Sequence, residues 1–132
     1  MATETLAIIG ATIKSESSTS KSCANASTTN LLSINLPCAG VWLLSGYVQL
    51  NDTYGTSNGI ILSINSSASA FTGITDFHRI TCFTNNKSLP SRLSLCAPYE
   101  ASSAITVYLN VYQETGAARN ATYYGIKATR IA

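Results

Sequence analysis

The sequence predicts an all-β domain: two packed antiparallel sheets, a sandwich or jelly roll of about eight to ten strands. Three observations lead there. Apolar residues recur with period two, and no run of helical length shows the 3.6-residue period of an amphipathic helix. Ser, Thr and Asn account for 44 of the 132 residues; all three are weak helix formers, with Thr suiting strands and Ser and Asn suiting turns. Charged residues make up only 11% of the chain, against about 25% in an ordinary soluble domain, so the expected surface is neutral and rich in hydroxyls. The length fits one domain, residues 1–132, with a core large enough to form without a metal or a disulfide framework.

The elements follow in order. Leu6–Ile13 reads as a first strand, and Lys14–Thr29 as a long polar loop of low complexity. Leu31–Leu36 is a second strand, stopped by Pro37. Gly40–Leu50 is a long strand whose start is apolar on both faces, the pattern of a strand covered on both sides. Trp42, in this most apolar strand, is expected in the core. Asn51–Gly59 carries turn chemistry. Ile60, Leu62 and Ile64 share one face of the next strand, with Ile61 on the other, and a loop runs from Asn65 to Gly73. Asp76–Thr84, Arg92–Ala97 with Leu93 and Leu95 inward, Ser102–Gln113 and Ala121–Ile131 complete the set.

The clearest alternation lies in Ile105 to Tyr112. Ile105, Val107, Leu109 and Val111 form an aliphatic face for the core, and Thr106, Tyr108, Asn110 and Tyr112 point the other way. That second face suits either cross-strand tyrosine pairs in solvent or a subunit interface, since tyrosine combines large area with few rotors and one polar end. Tyr108, Asn110 and Tyr112 are the expected interface residues. The ending, with Tyr124 and Ile131, is strand-like and partly apolar almost to the last residue, which suggests a terminus held in a sheet near a subunit contact.

Several function classes are disfavoured. Net charge is +2 and the eight basic residues are scattered, which is not the footprint of a nucleic-acid binder. No signal peptide is visible, and no apolar run approaches the ~20 residues needed to span a membrane, so no membrane insertion is expected. Cys23, Cys38, Cys82 and Cys96 contain no CxxC pair, so no metal site is expected. They either form two disulfides, in one of three connectivities, or pack as small apolar residues. Cys82 and Cys96 lie in strand-like runs, which favours burial. Cys23, in a Ser/Thr-rich stretch, reads as exposed. Five Asn-x-Ser/Thr matches are what chance supplies in a chain of this composition.

Catalytic chemistry is also sparse. His78 is the single histidine and no Gly-x-Ser-x-Gly elbow accompanies it; the expected role is a hydrogen-bonded histidine at the edge of the core. The carboxylates Glu4, Glu16, Asp52, Asp76, Glu100 and Glu114 are not paired by the sequence as a glycosidase would require. No enzyme activity and no cofactor are expected. Ligand-binding candidates fall in loops. Asn51, Asp52 and Tyr54 set an aromatic beside short polar groups, as a saccharide site needs. His78 and Asn86, with Phe71 and Phe77 near them, form a second candidate surface.

Two stretches carry a family resemblance. Gly40-Val41-Trp42-Leu43-Leu44-Ser45-Gly46-Tyr47-Val48 resembles the Gly-x-aromatic strand of C1q/tumour-necrosis-factor-like jelly rolls. Ser103–Gln113 with Gly116, and Tyr123-Tyr124-Gly125-Ile126 through Arg130-Ile131, resemble the last two strands of that fold. The likeness is greatest to the C-terminal head domains of bacteriophage tail-fibre, head-fibre and receptor-binding proteins, and covers roughly residues 40–50 and 100–132. It implies a homotrimer on a virion appendage that attaches to a host-cell surface receptor, often a glycan. A structural trimerisation or capsid-decoration module, and a polysaccharide-degrading fibre domain, are the other readings.

Overall fold

A computed structural model describes residues 8–50, 59–69, 76–83 and 91–132, without the side chains of 76–83 and of Ser91. The described residues form nine strands: β1 (Thr12–Ser17), β2 (Lys21–Cys23), β3 (Ser27–Leu36), β4 (Gly40–Leu50), β5 (Gly59–Asn65), β6 (Asp76–Phe83), β7 (Ser91–Ala101), β8 (Ile105–Gln113) and β9 (Arg119–Arg130). The five-stranded sheet runs β1-β9-β4-β7, with β2 also on β9; the four-stranded sheet runs β3-β8-β5-β6. Every pairing is antiparallel.

β1 and β2 occupy successive lengths of the same edge: Ser17 pairs with Tyr124 and Lys21 with Ala121. Taken as one position, they make the pairing nest. The first strand pairs with the last, β3 with β8, β4 with β7 and β5 with β6, and these pairs alternate between the two sheets. A long antiparallel hairpin rolled up in this way is a jelly roll, so the expected fold class holds.

The N-terminal expectations do not hold. Residues 8–11 form a turn in which the Ala11 amide donates to the Ile8 carbonyl, and β1 starts at Thr12 rather than at Leu6. The expected loop Lys14–Thr29 is mostly strand. Its hydroxyl residues alternate as well as apolar ones do: Ile13, Ser15 and Ser17 are half-buried between exposed Thr12, Lys14 and Glu16. At a sheet edge such residues satisfy the pleat while the backbone bonds to β9. β7 likewise runs through Pro98 to Ala101. It is an edge strand paired only with β4, so the N–H that proline lacks is not missed.

The core lies between the sheets. Trp42, Leu44, Val48, Leu50 and Ile126 meet Leu36, Ile60, Leu62, Ile64 and Leu109, all essentially inaccessible. Trp42 is fully buried, as expected, and its indole Nε1 donates to the Cys38 carbonyl at 3.3 Å. Gly46 sets the spacing of the sheets. A Cβ there would come within 2.6 Å of Leu109 Cδ1, so Leu109 of the opposite sheet packs directly on β4 backbone. The C-terminus is held as expected: Ile131 donates its amide to the Val41 carbonyl, and Val41 donates to Ala132.

The described cysteines are free, and two sit opposite to expectation. Cys23 is fully buried at the end of β2, where its carbonyl accepts from Gln113 Nε2 at 2.9 Å. Cys96 is exposed because strand parity puts Arg92, Ser94 and Cys96 outward while Leu93 and Leu95 point in.

Candidate functional site

The outer faces of the two sheets differ. On the four-stranded sheet the chain covers its own middle. Asn110 Nδ2 donates to the Ser67 carbonyl at 2.7 Å and to Asn65 Oδ1 at 3.4 Å, and the Ser67 amide donates to Asn65 Oδ1 at 2.8 Å. Asn30 Nδ2 donates to Asn110 Oδ1 from the other side. The turn after β5 therefore lies across this face, and Ser63, Asn65 and Asn110 are fully buried beneath it.

The outer face of the five-stranded sheet has no such cover from described residues. Register gives its layout, β1-β9-β4-β7 across. Tyr123, Gln49 and Arg92 are level; next come Glu16, Gly125, Tyr47 and Ser94; then Lys14, Lys127, Ser45 and Cys96; then Thr12, Thr129, Leu43 and Pro98. Ile131 and Val41 close the far end. Six large apolar side chains stand 37–65% exposed among the described residues, and four of them, Leu43, Tyr47, Tyr123 and Ile131, lie on this face. The other two, Ile8 and Ile9, are in the turn just before Gly10, whose amide donates to the Arg130 carbonyl at the Ile131 end.

The face thus has two ends, with Leu43 and Tyr47 four residues, or about 13 Å, apart along β4. The Leu43–Pro98–Ile131 end is apolar at its centre, with Glu100 on its rim beside Val41. The Tyr47–Tyr123 end is aromatic and polar. There Tyr47 lies across Gly125, where an added Cβ would meet its ring at 2.5 Å, so Gly125 is buried although it faces outward. Burial, and then the negative charge of Glu16, hold the Tyr47 phenol above its ordinary pKa. Hollows of about 360, 280 and 180 Å³ open around it, and Tyr47 borders all three.

No family model and no curated protein matches this sequence. Solved structures do match in shape. One chain of infectious bursal disease virus, Gt strain, superposes over 90% of this chain with a TM-score of 0.59 at 9% identity. The VP2 subviral particle of that virus superposes over 90% with a TM-score of 0.58 at 12% identity. This chain shares their fold. It spans about a third of their length, 33% and 32%. Eiger TNF from S. frugiperda covers 71% of this chain and 60% of its own at a TM-score of 0.48, a likeness that establishes nothing by itself.

The expected site residues that the structure describes do not gather in one place. Asn51, Asp52, Tyr54 and Asn86 lie outside the described residues, as does Phe71. His78 falls on β6, paired by backbone register with Ile64. Tyr108 and Tyr112 are half-buried on the outer face of the four-stranded sheet, as their parity requires. The Tyr112 hydroxyl donates to Glu114 Oε1, and this carboxylate bond raises the phenol pKa. Two expected interface residues are corrected. Asn110 is spent inside the chain, as above. Tyr124 is buried because parity turns it inward, and its hydroxyl donates to the Thr19 carbonyl at 2.8 Å. Ile131 is exposed, on the other sheet's face. Among the described residues no three metal-ligating side chains cluster. Glu16 and Glu100 share the five-stranded face but sit on opposite edge strands, six residues out of level. That is over about 20 Å, beyond the ~5–9.5 Å span of a glycosidase pair.

Leu43, Tyr47, Gln49, Arg92 and Tyr123 were missed by the sequence reading. Their signal was present. Leu43, Ser45, Tyr47 and Gln49 share one parity of β4, and Tyr123, Gly125, Lys127, Thr129 and Ile131 one parity of β9.

Proposed function

We infer that this chain is a self-associating jelly-roll module of a virion, the homotrimeric head of a fibre or similar appendage that attaches to a host-cell surface receptor. One observation carries the self-association: β4 is apolar on both sides, yet the described residues cover only one. Leu43 and Ile131 stand in water with Val41 and Pro98 beside them. A patch of this kind on a single chain marks an interaction surface, and the lack of charge at its centre is the composition of an interface core. With Leu43, Pro98 and Ile131 at its centre and Glu100 only on its rim, the patch places no charge where a second copy would meet it, which favours self-association over a charged partner. The virion role is supported by the fold shared with chains of viral particles. Attachment through a trimeric head would gain strength from several weak sites acting together.

The test has two readouts on the purified chain. Light scattering over a range of concentrations should give a stable mass of three chains, and the trimer should adsorb to host cells and block infection. A monomer at all concentrations contradicts the proposal. A stable trimer that never adsorbs points instead to a trimerisation or capsid-decoration module.

A further inference from the structure

The polar end of the five-stranded face is shaped for more than a flat contact. A hollow of about 360 Å³ there is bordered by Tyr47, Gln49, Arg92, Ser94 and Tyr123. Arg92 Nε donates to Gln49 Oε1 at 2.6 Å, and Gln49 Nε2 in turn donates to Thr122 Oγ1 at 3.4 Å. Thr122 sits at the β4/β9 irregularity, which brings its hydroxyl beside Gln49. Among the described residues the guanidinium is thus fixed through Nε alone. Its two terminal amino groups bond no carboxylate among the described residues. A guanidinium held in this way presents parallel donors that match a carboxylate. Two phenol rings, Tyr47 and Tyr123, border the same hollow and offer apolar faces with polar tips, and Gln49 and Ser94 add groups that can bond hydroxyls.

We propose that this cleft binds an acidic saccharide, with the sugar carboxylate on the terminal amino groups of Arg92 and a ring face against Tyr47 or Tyr123. The choice of a saccharide rests on the receptor-attachment reading above. A peptide is the poorer fit because β4, the floor of the cleft, is hydrogen-bonded on both sides by β7 and β9, so a ligand on that floor meets side chains and not open β4 backbone. The volume suits one or two sugar rings, at the small end of ligand sites. The site lies about 13 Å along β4 from the apolar end, so a head assembled through Leu43 and Ile131 leaves it open.

The experiment is an NMR titration of the whole chain with digalacturonate, with its neutral methyl ester, and with an N-acetylated dipeptide acid. Digalacturonate should shift the ring signals of Tyr47 and Tyr123 and the Arg92 Nε–H signal saturably. The ester should bind about tenfold more weakly, the loss of one charge-assisted contact. Arg92→Gln should abolish that difference, and Tyr123→Ser should weaken both sugars. No shift at these residues, equal binding of ester and acid, or equal binding of the dipeptide acid through the same residues would overturn the proposal. A trimer that adsorbs to cells yet ignores digalacturonate overturns this site alone. A chain that binds digalacturonate through Arg92 and never adsorbs overturns the attachment reading alone.

Discussion

Two sheet faces in this molecule point away from the core, and they are finished in opposite ways. The four-stranded sheet carries polar residues outward, and the chain folds its own turn over them, with Asn110, Asn65 and Ser67 bonded together. The five-stranded sheet carries Leu43, Tyr47, Tyr123 and Ile131 outward with no described segment above them. A polar cluster buried on an outer face and an apolar cluster exposed on the other are both departures from simple alternation. The first is resolved within the chain by hydrogen bonds. The second finds no cover among the described residues. The lesson is that tyrosines on a strand do not by themselves mark an interface; what counts is whether the chain has already spent that face.

Several changes would break or sharpen this contrast. The largest effect is expected in thiol reactivity. Cys96 should react with a maleimide at least about 100-fold faster than Cys23 in the native chain, as read by peptide mapping. Burial, as the largest cause, holds the Cys23 thiol above its ordinary pKa. Because the folded state then favours the neutral thiol, its share of stability is intact below the ordinary thiol pKa and fades as pH rises through the raised value. Cys23 should therefore stay protected on the alkaline side until unfolding begins. Equal labelling would mean that the inward and outward faces of the five-stranded sheet are assigned wrongly.

Next, Asn110→Ala should cost about 2 kcal/mol in urea unfolding, since it strands the Ser67 carbonyl under the turn. Ser45→Ala, on the open face, should stay within about 0.5 kcal/mol. A mild Asn110→Ala would mean that the turn does not seal the four-stranded sheet. Gly46→Ala should cost about 1–2 kcal/mol, because its methyl group meets Leu109 between the sheets. Gly125→Ala meets only the far end of the Tyr47 ring. It should swing that ring aside with a smaller loss, below about 1 kcal/mol, seen as a shift of the Tyr47 ring signals.

Much of the fold was legible because period two is a local signal. Ile60, Leu62 and Ile64, and Val107, Leu109 and Val111, are buried as their alternation requires. The N-terminal strands were not legible, because Ser and Thr in β1 alternate without an apolar face to reveal it. The site was less legible still. Asn110 was assigned to a contact by parity alone, and parity does not report a turn that arrives from β5. The apolar second face of β4 was read as covered, which was the useful clue, but which residues it exposed depended on the neighbours that register supplies. Gly125 beneath Tyr47 is a cross-strand fact that no single strand contains.

The central claim is that self-association uses the outer face of the five-stranded sheet and not that of the four-stranded sheet. The most direct test compares Leu43→Asp with Tyr108→Asp by light scattering at several concentrations, with circular dichroism to verify that both fold. Leu43→Asp should reduce the mass from three chains to one, and Tyr108→Asp should leave three. A Leu43→Asp protein that stays trimeric, or a Tyr108→Asp protein that falls to monomer, would contradict the account.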